Sequence, residues 1–199
     1  MRRGYDRFAP FYDFMEGSSE RGNFGKWRKM VWGMVEGQRI LEVGVGTGHN
    51  FPYYPAGIEV TAIDLSPNML KRARAKAARD NVKATLLQQD AQDLHFPDNS
   101  FDTVVATLVF CAVPDPIRGL KEVRRVCKPG GKVLLLEHVL STNRVQAWFM
   151  NLFNPVTAAL MGEYINRQTV KNVVESGLLV EHATDLTSIF KLIEARKMT

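Results

Sequence analysis

The sequence predicts an α/β fold: a seven-stranded, mostly parallel sheet with helices on both faces and an antiparallel hairpin at its end. Short apolar runs alternate with amphipathic stretches over most of the 199 residues. A glycine-rich turn follows the first apolar run, and a short connection joins the last two runs. Alternating strands and helices favour a parallel sheet that is covered on both faces. The chain length favours a single domain.

The first 35 residues are predicted to form two helices. Apolar side chains recur there at helical spacing, in the two series Tyr5, Phe8, Ala9, Tyr12, Met15 and Phe24, Trp27, Met30, Val31, Met34. Gly37 separates the second helix from the first strand, which is expected at about residues 39–43.

Four more parallel strands and two helices are expected next. The strands are predicted at residues 59–63, 83–88, 101–107 and 132–140. Ser66 and Pro67 open the first helix, because serine caps helix N-termini and proline suits the first helical position. That helix runs to about Ala78. The second helix covers residues 116–127 and ends at the turn over residues 128–131.

The pattern changes after the fifth strand. Residues 145–161 are rich in large apolar side chains, and Asn154-Pro155 is expected to break this stretch. A helix is predicted at residues 168–175. Residues 178–183 and 188–195 are predicted to form the antiparallel pair of strands, because their connection is short.

Composition limits the classes of function. The chain has 26 Lys and Arg residues against 21 Asp and Glu, a formal net charge of +5. Such an excess favours anionic partners such as nucleic acid, anionic lipid or a phosphate-bearing substrate, and a well-solvated surface is the alternative explanation. No apolar run reaches the roughly 18 residues that cross a bilayer, and the N-terminus lacks a signal-peptide core. Since the two cysteines show no CxxC spacing, we expect no metal site and a reducing cytoplasm.

The segment Glu42-x-Gly44-x-Gly46-x-Gly48 carries the strongest functional signal. Glycines at alternate positions let the backbone approach a ligand that a Cβ atom would exclude. A dinucleotide site has the spacing G-x-G-x-x-G instead. Glu42 would also repel a pyrophosphate, whereas it would attract an ammonium or a sulfonium group. The turn therefore favours S-adenosylmethionine over NAD.

With Asp64 and Asp90 in register, residues 38–140 resemble the class I S-adenosylmethionine-dependent methyltransferases, whose fold is Rossmann-like. Cys127-Lys128-Pro129-Gly130-Gly131 before strand five matches the usual turn of that family. The resemblance implies that Asp64 accepts hydrogen bonds from the ribose hydroxyls and Asp90 from the adenine amino group. The implied cofactor-binding residues are Tyr12, Glu42, Gly44, Gly46, Gly48, Asp64, Leu65, Met69, Asp90, Ala91 and Leu108. S-adenosylhomocysteine is the implied product.

The pattern Tyr5-x-x-x-Ala9-x-x-Tyr12-Asp13 resembles the N-terminal segment of methyltransferases that act on phospholipids and quinones. In that group the segment folds over the cofactor as a lid, which here would be residues 1–36. Tyr5 and Tyr12 are seven residues apart and share one helix face. We expect Tyr5 in a catalytic role and Tyr12 at the cofactor; two aromatic core residues are the alternative.

Strand five ends at Glu137-His138-Val139, where parallel strands present their ends to ligands. His138 is a candidate catalytic base, or else a core histidine bonded to backbone. The insertion at residues 141–177 precedes the hairpin at 178–199. Its apolar segment 148–156 is expected to enter the lipid headgroup region or to pack on the sheet. The candidate substrate-binding residues of the insertion are Asn154, Tyr164 and Arg167, the last because its planar fork suits a phosphate.

The first hypothesis for function is N-methylation of phosphatidylethanolamine towards phosphatidylcholine, as the resemblance implies. An amine acceptor must lose a proton first, which His138 or an apolar environment would favour. Quinone-ring C-methylation, small-thiol S-methylation and a non-catalytic, membrane-interacting module are the alternatives. We expect a monomer without metal, peripheral to the inner face of the cell membrane on the cytoplasmic side. Without a base-flipping motif, nucleic acid is not an expected partner.

Overall fold

The computed structural model describes residues 23–162 and 164–198, so the predicted helix with Tyr5 and Tyr12 lies outside the described residues. Five helices and seven strands follow one another in these two ranges: α1 (Gly25–Trp32), β1 (Arg39–Val43), β2 (Glu59–Asp64), α2 (Pro67–Arg79), β3 (Thr85–Gln88), β4 (Phe101–Thr107), α3 (Pro116–Val126), β5 (Cys127–His138), α4 (Arg144–Met161), α5 (Thr169–Glu175), β6 (Leu179–Asp185) and β7 (Phe190–Arg196).

The seven strands form one sheet in the order β3-β2-β1-β4-β5-β7-β6. Strands β1 to β5 pair in parallel, and β7 runs antiparallel to both β5 and β6. The predicted fold class is therefore confirmed. The chain order reverses between β1 and β4, and in such sheets ligands bind beyond the carboxyl ends of the strands at that point.

Two apolar layers cover the two faces of the sheet. On one face, Val123 of α3 and Val173 of α5 are fully buried in the core with β4 and β5. On the other face, Trp32 of α1 and Leu70 of α2 are buried against β1 and β2. Burial on both faces explains why the central strands are almost continuously apolar.

The sequence places most element boundaries within two residues. Ser66 caps α2 as predicted, since its hydroxyl oxygen accepts from the Met69 amide at 3.2 Å, with Pro67 at the first helical position. Strand β5 differs, because it begins at Cys127 and ends at His138 rather than covering residues 132–140. The predicted turn at residues 128–131 is part of this strand, and the Gly130 amide donates to the Lys197 carbonyl at 2.8 Å.

The expected break at Asn154-Pro155 is wrong, since α4 runs through Pro155 without interruption. Proline at this position leaves the carbonyl of Asn151 without its helical donor. Asn151 is exposed, so water can satisfy that carbonyl and the helix continues. The helix begins at a proper cap, because Asn143 Oδ1 accepts from the amides of Val145 and Gln146 at 3.0 and 3.1 Å.

Candidate cofactor and acceptor site

The glycine turn after β1 bends over the end of β2. The amides of Gly44 and Val45 both donate to the Ile63 carbonyl, at 2.8 and 2.9 Å. Gly46 has a φ of +55°, and no atom lies within 4 Å of the position where a Cβ would stand. A side chain there would project into open space beside the backbone, so this turn leaves room for a ligand against its main chain.

Asp64, the last residue of β2, ties the glycine turn to the start of α2. Its Oδ2 accepts from the Gly46 amide and its Oδ1 from the Ser66 amide, both at 2.8 Å. The carboxylate is thereby held at the carboxyl edge of the sheet by two backbone donors. An ionised carboxylate accepts at several lone-pair sites, so the predicted role towards ribose hydroxyls is chemically open to it.

A single cavity beyond the ends of β1, β2 and β4 brings together eight of the predicted cofactor-binding residues. They are Gly44, Gly46, Asp64, Leu65, Met69, Asp90, Ala91 and Leu108. The lining combines the glycine backbone and two carboxylates, those of Asp64 and Asp90, with apolar side chains suited to a purine ring. Asp90 already accepts from the Gln92 amide through Oδ1 at 2.8 Å. These residues fit a nucleoside such as S-adenosylmethionine.

Glu42 and Gly48 do not line this cavity. Glu42 is fully buried and accepts from Asn50 Nδ2 at 2.6 Å and from the Tyr54 hydroxyl. Burial raises the pKa of Glu42, against the hydrogen bonds from Tyr54 and Asn50 and the charge of Arg28. At Gly48, a Cβ would lie 2.3 Å from the Phe51 ring. Both residues therefore support the turn on the side away from the cavity. Their contact with the cofactor stays a prediction.

A buried polar network supports the turn, and its member Arg28 was not expected from the sequence. Arg28 Nη1 donates to Asn50 Oδ1 at 3.0 Å and to Thr107 Oγ1 at 2.9 Å. Thr107 ends β4 and lines the cavity. The positive charge of Arg28 lies near buried Glu42, which favours the ionised carboxylate. The sequence did contain one sign of this role: Arg28 lies between Trp27 and Val31 on the apolar side of a helix, where a charged residue needs a polar partner.

The segment Leu108–Pro114, between β4 and α3, forms one wall of the cavity, and we call it the wall segment. Five of its seven residues line the cavity, namely Leu108, Val109, Ala112, Val113 and Pro114, whereas Phe110 and Cys111 do not. Only Leu108 was expected. The others carry no polar signature, and their place at the cavity follows from the fold rather than from any local pattern.

His138 lies apart from that cavity. Its ring packs edge-to-face on Phe190, with centroids 5.3 Å apart, and Phe190 in turn contacts Phe24 and Trp27. Burial lowers the pKa of His138, which favours the neutral imidazole. Its Nδ1 is buried with no hydrogen-bond partner in the described part of the chain. The side chain can therefore accept a proton or a hydrogen bond.

Tyr164 and Arg167 contact the wall segment from outside. The Tyr164 amide donates to the Cys111 carbonyl at 2.9 Å, and Arg167 Nη2 donates to the Val113 carbonyl at 2.6 Å. The Arg167 guanidinium also stacks on the Tyr164 ring, 4.1 Å from its centroid. Burial lowers the pKa of Arg167. Nη2 of Arg167 thus already donates to a backbone carbonyl. A phosphate would have to bind to the other guanidinium nitrogens, Nη1 and Nε.

Asn154 faces the protein from α4, and its Oδ1 is buried without a partner within the described ranges. Tyr5 and Tyr12 lie outside the described residues. The described residues contain no group of three or more side chains that could hold a metal ion. No helix in the described ranges has the length and apolar character that crossing a bilayer requires.

The sheet order, the glycine turn and the acid at the end of β2 define a Rossmann-like protein of the class I S-adenosylmethionine-dependent type. The chain matches the family model described as a methyltransferase domain over residues 41–135. It is 42% identical over 138 residues to phosphatidylethanolamine N-methyltransferase of Cereibacter sphaeroides, covering 68% of this chain and 66% of that protein.

The names of two further relatives indicate other methyl acceptors. The chain is 30% identical over 174 residues to the ubiquinone/menaquinone biosynthesis C-methyltransferase UbiE of Geotalea daltonii, covering 80% of this chain and 74% of that protein. It is 34% identical over 139 residues to the thiol S-methyltransferase TMT1B of Rattus norvegicus, covering 67% and 57%. A crystal structure of an S-adenosylmethionine-dependent methyltransferase from Thermotoga maritima has the same fold, with a TM-score of 0.76 at 20% identity and coverage of 99% and 100%.

The chain therefore belongs to the class I S-adenosylmethionine-dependent methyltransferases, and S-adenosylmethionine is its cofactor. It spans 66% of the length of the phosphatidylethanolamine methyltransferase and 57% of the thiol methyltransferase. These relatives differ in acceptor, so family membership defines the methyl donor and does not define the acceptor.

Proposed function

We propose that the protein N-methylates phosphatidylethanolamine, and its mono- and dimethyl products, towards phosphatidylcholine at an anionic membrane surface. One observation carries this proposal: six large apolar side chains of helix α4 point outward. Each of them is about half exposed or more, and they are Val145, Trp148, Phe149, Leu152, Phe153 and Val156.

The spacing of these six side chains is that of a single helix face, with steps of three, one, three, one and three residues. In a water-soluble helix such a face points to the core. Here Met150 is buried and Asn154 and Thr157 are partly buried, so the less apolar side of α4 faces the protein. An outward face with Trp, Phe and Leu is typical of a helix that lies in the plane of a membrane interface.

The residues that follow α4 are hydrogen-bonded to the wall of the cavity. Tyr164 and Arg167 follow α4 directly and bond to the carbonyls of Cys111 and Val113 in the wall segment. A lipid held at the α4 face would thus be near the wall of the cofactor cavity. This proximity favours an acceptor that stays in the membrane over a small water-soluble thiol.

Methyl transfer to ethanolamine requires the neutral amine, because only its nitrogen lone pair can attack the methyl group. When bound, S-adenosylmethionine supplies a methyl group on a sulfonium. An apolar environment lowers the pKa of an ethanolamine ammonium, which favours loss of its proton, and His138, whose own pKa is lowered by burial so that its imidazole is neutral, is the proposed group that receives it. Arg167, half-buried beside Tyr164, is the proposed partner for the lipid phosphate. The apolar wall segment excludes water from the reacting atoms.

The similarity to a phosphatidylethanolamine N-methyltransferase supports an amine acceptor. A quinone is the second candidate, because the UbiE relative matches more of the chain and a quinone also partitions into membranes. The net charge of +5 supports an anionic membrane surface as the partner and a peripheral location at the inner face of the cell membrane.

The test uses the full chain, radiolabelled S-adenosylmethionine and three sets of acceptors. These are vesicles of phosphatidylethanolamine and phosphatidylglycerol, phosphatidylglycerol vesicles with a demethylmenaquinone, and dithiothreitol in solution. We expect label in the ethanolamine lipid, and about tenfold less or lower still with Asp64→Asn when S-adenosylmethionine is below saturation. Label only in the quinone or only in the thiol would overturn the lipid acceptor. No binding of S-adenosylhomocysteine by calorimetry would favour the non-catalytic module.

A further inference from the structure

Strand β5 holds three consecutive amides at the start of the wall segment. The Leu108 amide donates to the Leu136 carbonyl at 2.8 Å. The amides of Val109 and Phe110 both donate to Glu137 Oε1, at 3.0 and 3.1 Å. One carboxylate oxygen thus fixes two successive residues of the cavity wall.

Leu108 needs such support. Its φ of +58° lies in the left-handed region, which a branched apolar residue rarely adopts. A conformation of this kind persists only where the surroundings over-determine it. The bonds from Leu136 and Glu137 act at this residue and on the two that follow, so they supply that constraint.

The position of Val109 matters because it closes over the glycine turn. A Cβ on Gly44 would lie 2.4 Å from Val109 Cγ2. The wall segment and the glycine backbone are therefore in direct contact at the cavity. A small displacement of Val109 would change the width of the cavity between them.

Burying the Glu137 carboxylate carries a desolvation cost that a purely structural role would not require. Its side chain is fully buried, and Oε2 has no hydrogen-bond partner within the described ranges. An apolar side chain would fill this position without that desolvation cost. Burial raises the pKa of Glu137 to about 7, in spite of the amides that bond to it.

We propose that Glu137 is a positioning residue that holds Val109 and Phe110 in place, and through them the neighbouring Leu108, and so sets the geometry of the cofactor cavity. Arg167 holds the other end of the wall segment through the Val113 carbonyl. Glu137 acts through these backbone amides and not by touching the reacting groups. The inference depends on the cofactor alone, so it stands or fails independently of the acceptor.

The experiment compares Glu137→Gln with Glu137→Asp. Glutamine has the same reach, and its amide oxygen can accept from both amides, although without the charge. Aspartate keeps the charge and is one methylene too short. Leu135→Val is the control, because Leu135 is buried on the same strand and the same side of the sheet. The readouts are hydrogen exchange at the Val109 and Phe110 amides and the Kd for S-adenosylhomocysteine, both well below the melting temperature.

We expect Glu137→Asp to weaken S-adenosylhomocysteine binding by about tenfold or more and to accelerate exchange at both amides by a similar factor. Glu137→Gln should stay within about threefold of the unmodified chain, and Leu135→Val should change only the melting temperature. The proposal is overturned if the aspartate variant binds like the unmodified chain, or if the glutamine variant binds no better than the aspartate variant. A failure of lipid methylation alone leaves both readouts unchanged.

Discussion

The donor and acceptor halves of the site are built differently. In the donor half, Asp64 and Glu42 each accept through both carboxylate oxygens. Around the end of β5, buried polar atoms lack partners in the part of the chain that the structure describes: Glu137 Oε2, His138 Nδ1, Asn154 Oδ1 and Arg167 Nε. Buried polar groups are normally paired. The two carboxylates of the donor half are therefore held by the chain itself, although Trp32 Nε1 beside Tyr54 lacks a partner in the described ranges, while the residues around the end of β5 keep hydrogen-bonding capacity that a polar ligand can use.

The largest expected effect is that of Gly44→Ala in the donor half. Gly44 has a φ of +73°, and an added Cβ would meet Val109 Cγ2 at 2.4 Å. Alanine costs about 1–2 kcal/mol in this backbone region even where there is space. We expect affinity for S-adenosylhomocysteine, measured by calorimetry, to fall by about a hundredfold or more, because the clash displaces the cavity wall.

Gly57→Ala is the matched control for that variant. Gly57 has a φ of +81°, and nothing lies within 4 Å of its Cβ position. The control should lower the melting temperature by the backbone cost and leave cofactor affinity unchanged. Equal losses of affinity in the two variants would contradict the direct contact between the glycine turn and the wall segment.

The second effect is a pH dependence of stability that arises in the acceptor half. Burial is the largest cause that raises the pKa of Glu137 from 4.5 to about 7. Between these pH values the unfolded chain loses the proton first, so the stability that Glu137 contributes falls as pH rises. The interval corresponds to about 3 kcal/mol at about 1.36 kcal/mol per pKa unit.

The measurement is urea unfolding of the unmodified chain and of Glu137→Gln at several pH values. The difference in free energy of unfolding should shift in favour of the glutamine variant from pH 4.5 to 7 and then level off. Carboxylates elsewhere titrate equally in both proteins and cancel. A difference that stays constant across this window would show that Glu137 is ionised throughout.

The third effect concerns Asp64, whose carboxylate links the glycine turn to the start of α2. Asp64→Asn replaces an oxygen that accepts from Gly46 or Ser66 with an amide group that cannot. We expect affinity for S-adenosylhomocysteine to fall by about tenfold to a hundredfold. Asp80→Asn is the control, since Asp80 is exposed and paired with neighbouring Arg79, and it should bind as the unmodified chain does.

The donor half could be predicted from sequence because its signals are local. Glu42 lies at the end of β1, Gly46 follows that strand by three residues and Asp64 ends β2, so a pattern over about 25 residues locates them. Arg28 could not be found this way, since it bonds to Thr107, which is 79 positions away in the chain. Val109 and Val113 are apolar residues whose place at the cavity depends on the contact of β4 with β1 and β5.

The acceptor half was predicted less well for a related reason. The spacing of Glu137 and His138 shows that they point to opposite sides of the sheet, and the partner on each side comes from distant segments. Pro155 was expected to end a helix by a local rule, but exposure of the neighbouring turn allows the helix to continue. Which polar atoms stay unpaired is a property of packing that no local pattern carries.

The smallest expected effect tests whether the outward face of α4 meets a membrane. Val156 on α4 and Val174 on α5 are exposed to a similar degree, 52% and 57%. Val156→Ser and Val174→Ser therefore make the same chemical change on two helices. If the α4 face enters the headgroup region, the first variant loses about 1 kcal/mol of apolar burial, or about fivefold in binding to vesicles of phosphatidylethanolamine and phosphatidylglycerol.

Val174→Ser should bind those vesicles like the unmodified chain, and both variants should keep their affinity for S-adenosylhomocysteine, because neither side chain lines the cavity. Flotation with the vesicles measures the first quantity and calorimetry the second. Equal weakening by the two substitutions would mean that general hydrophobicity, and not the α4 face, governs the interaction. A loss confined to Val156→Ser would separate the two halves of the site functionally, since lipid binding would change while the donor cavity stays intact.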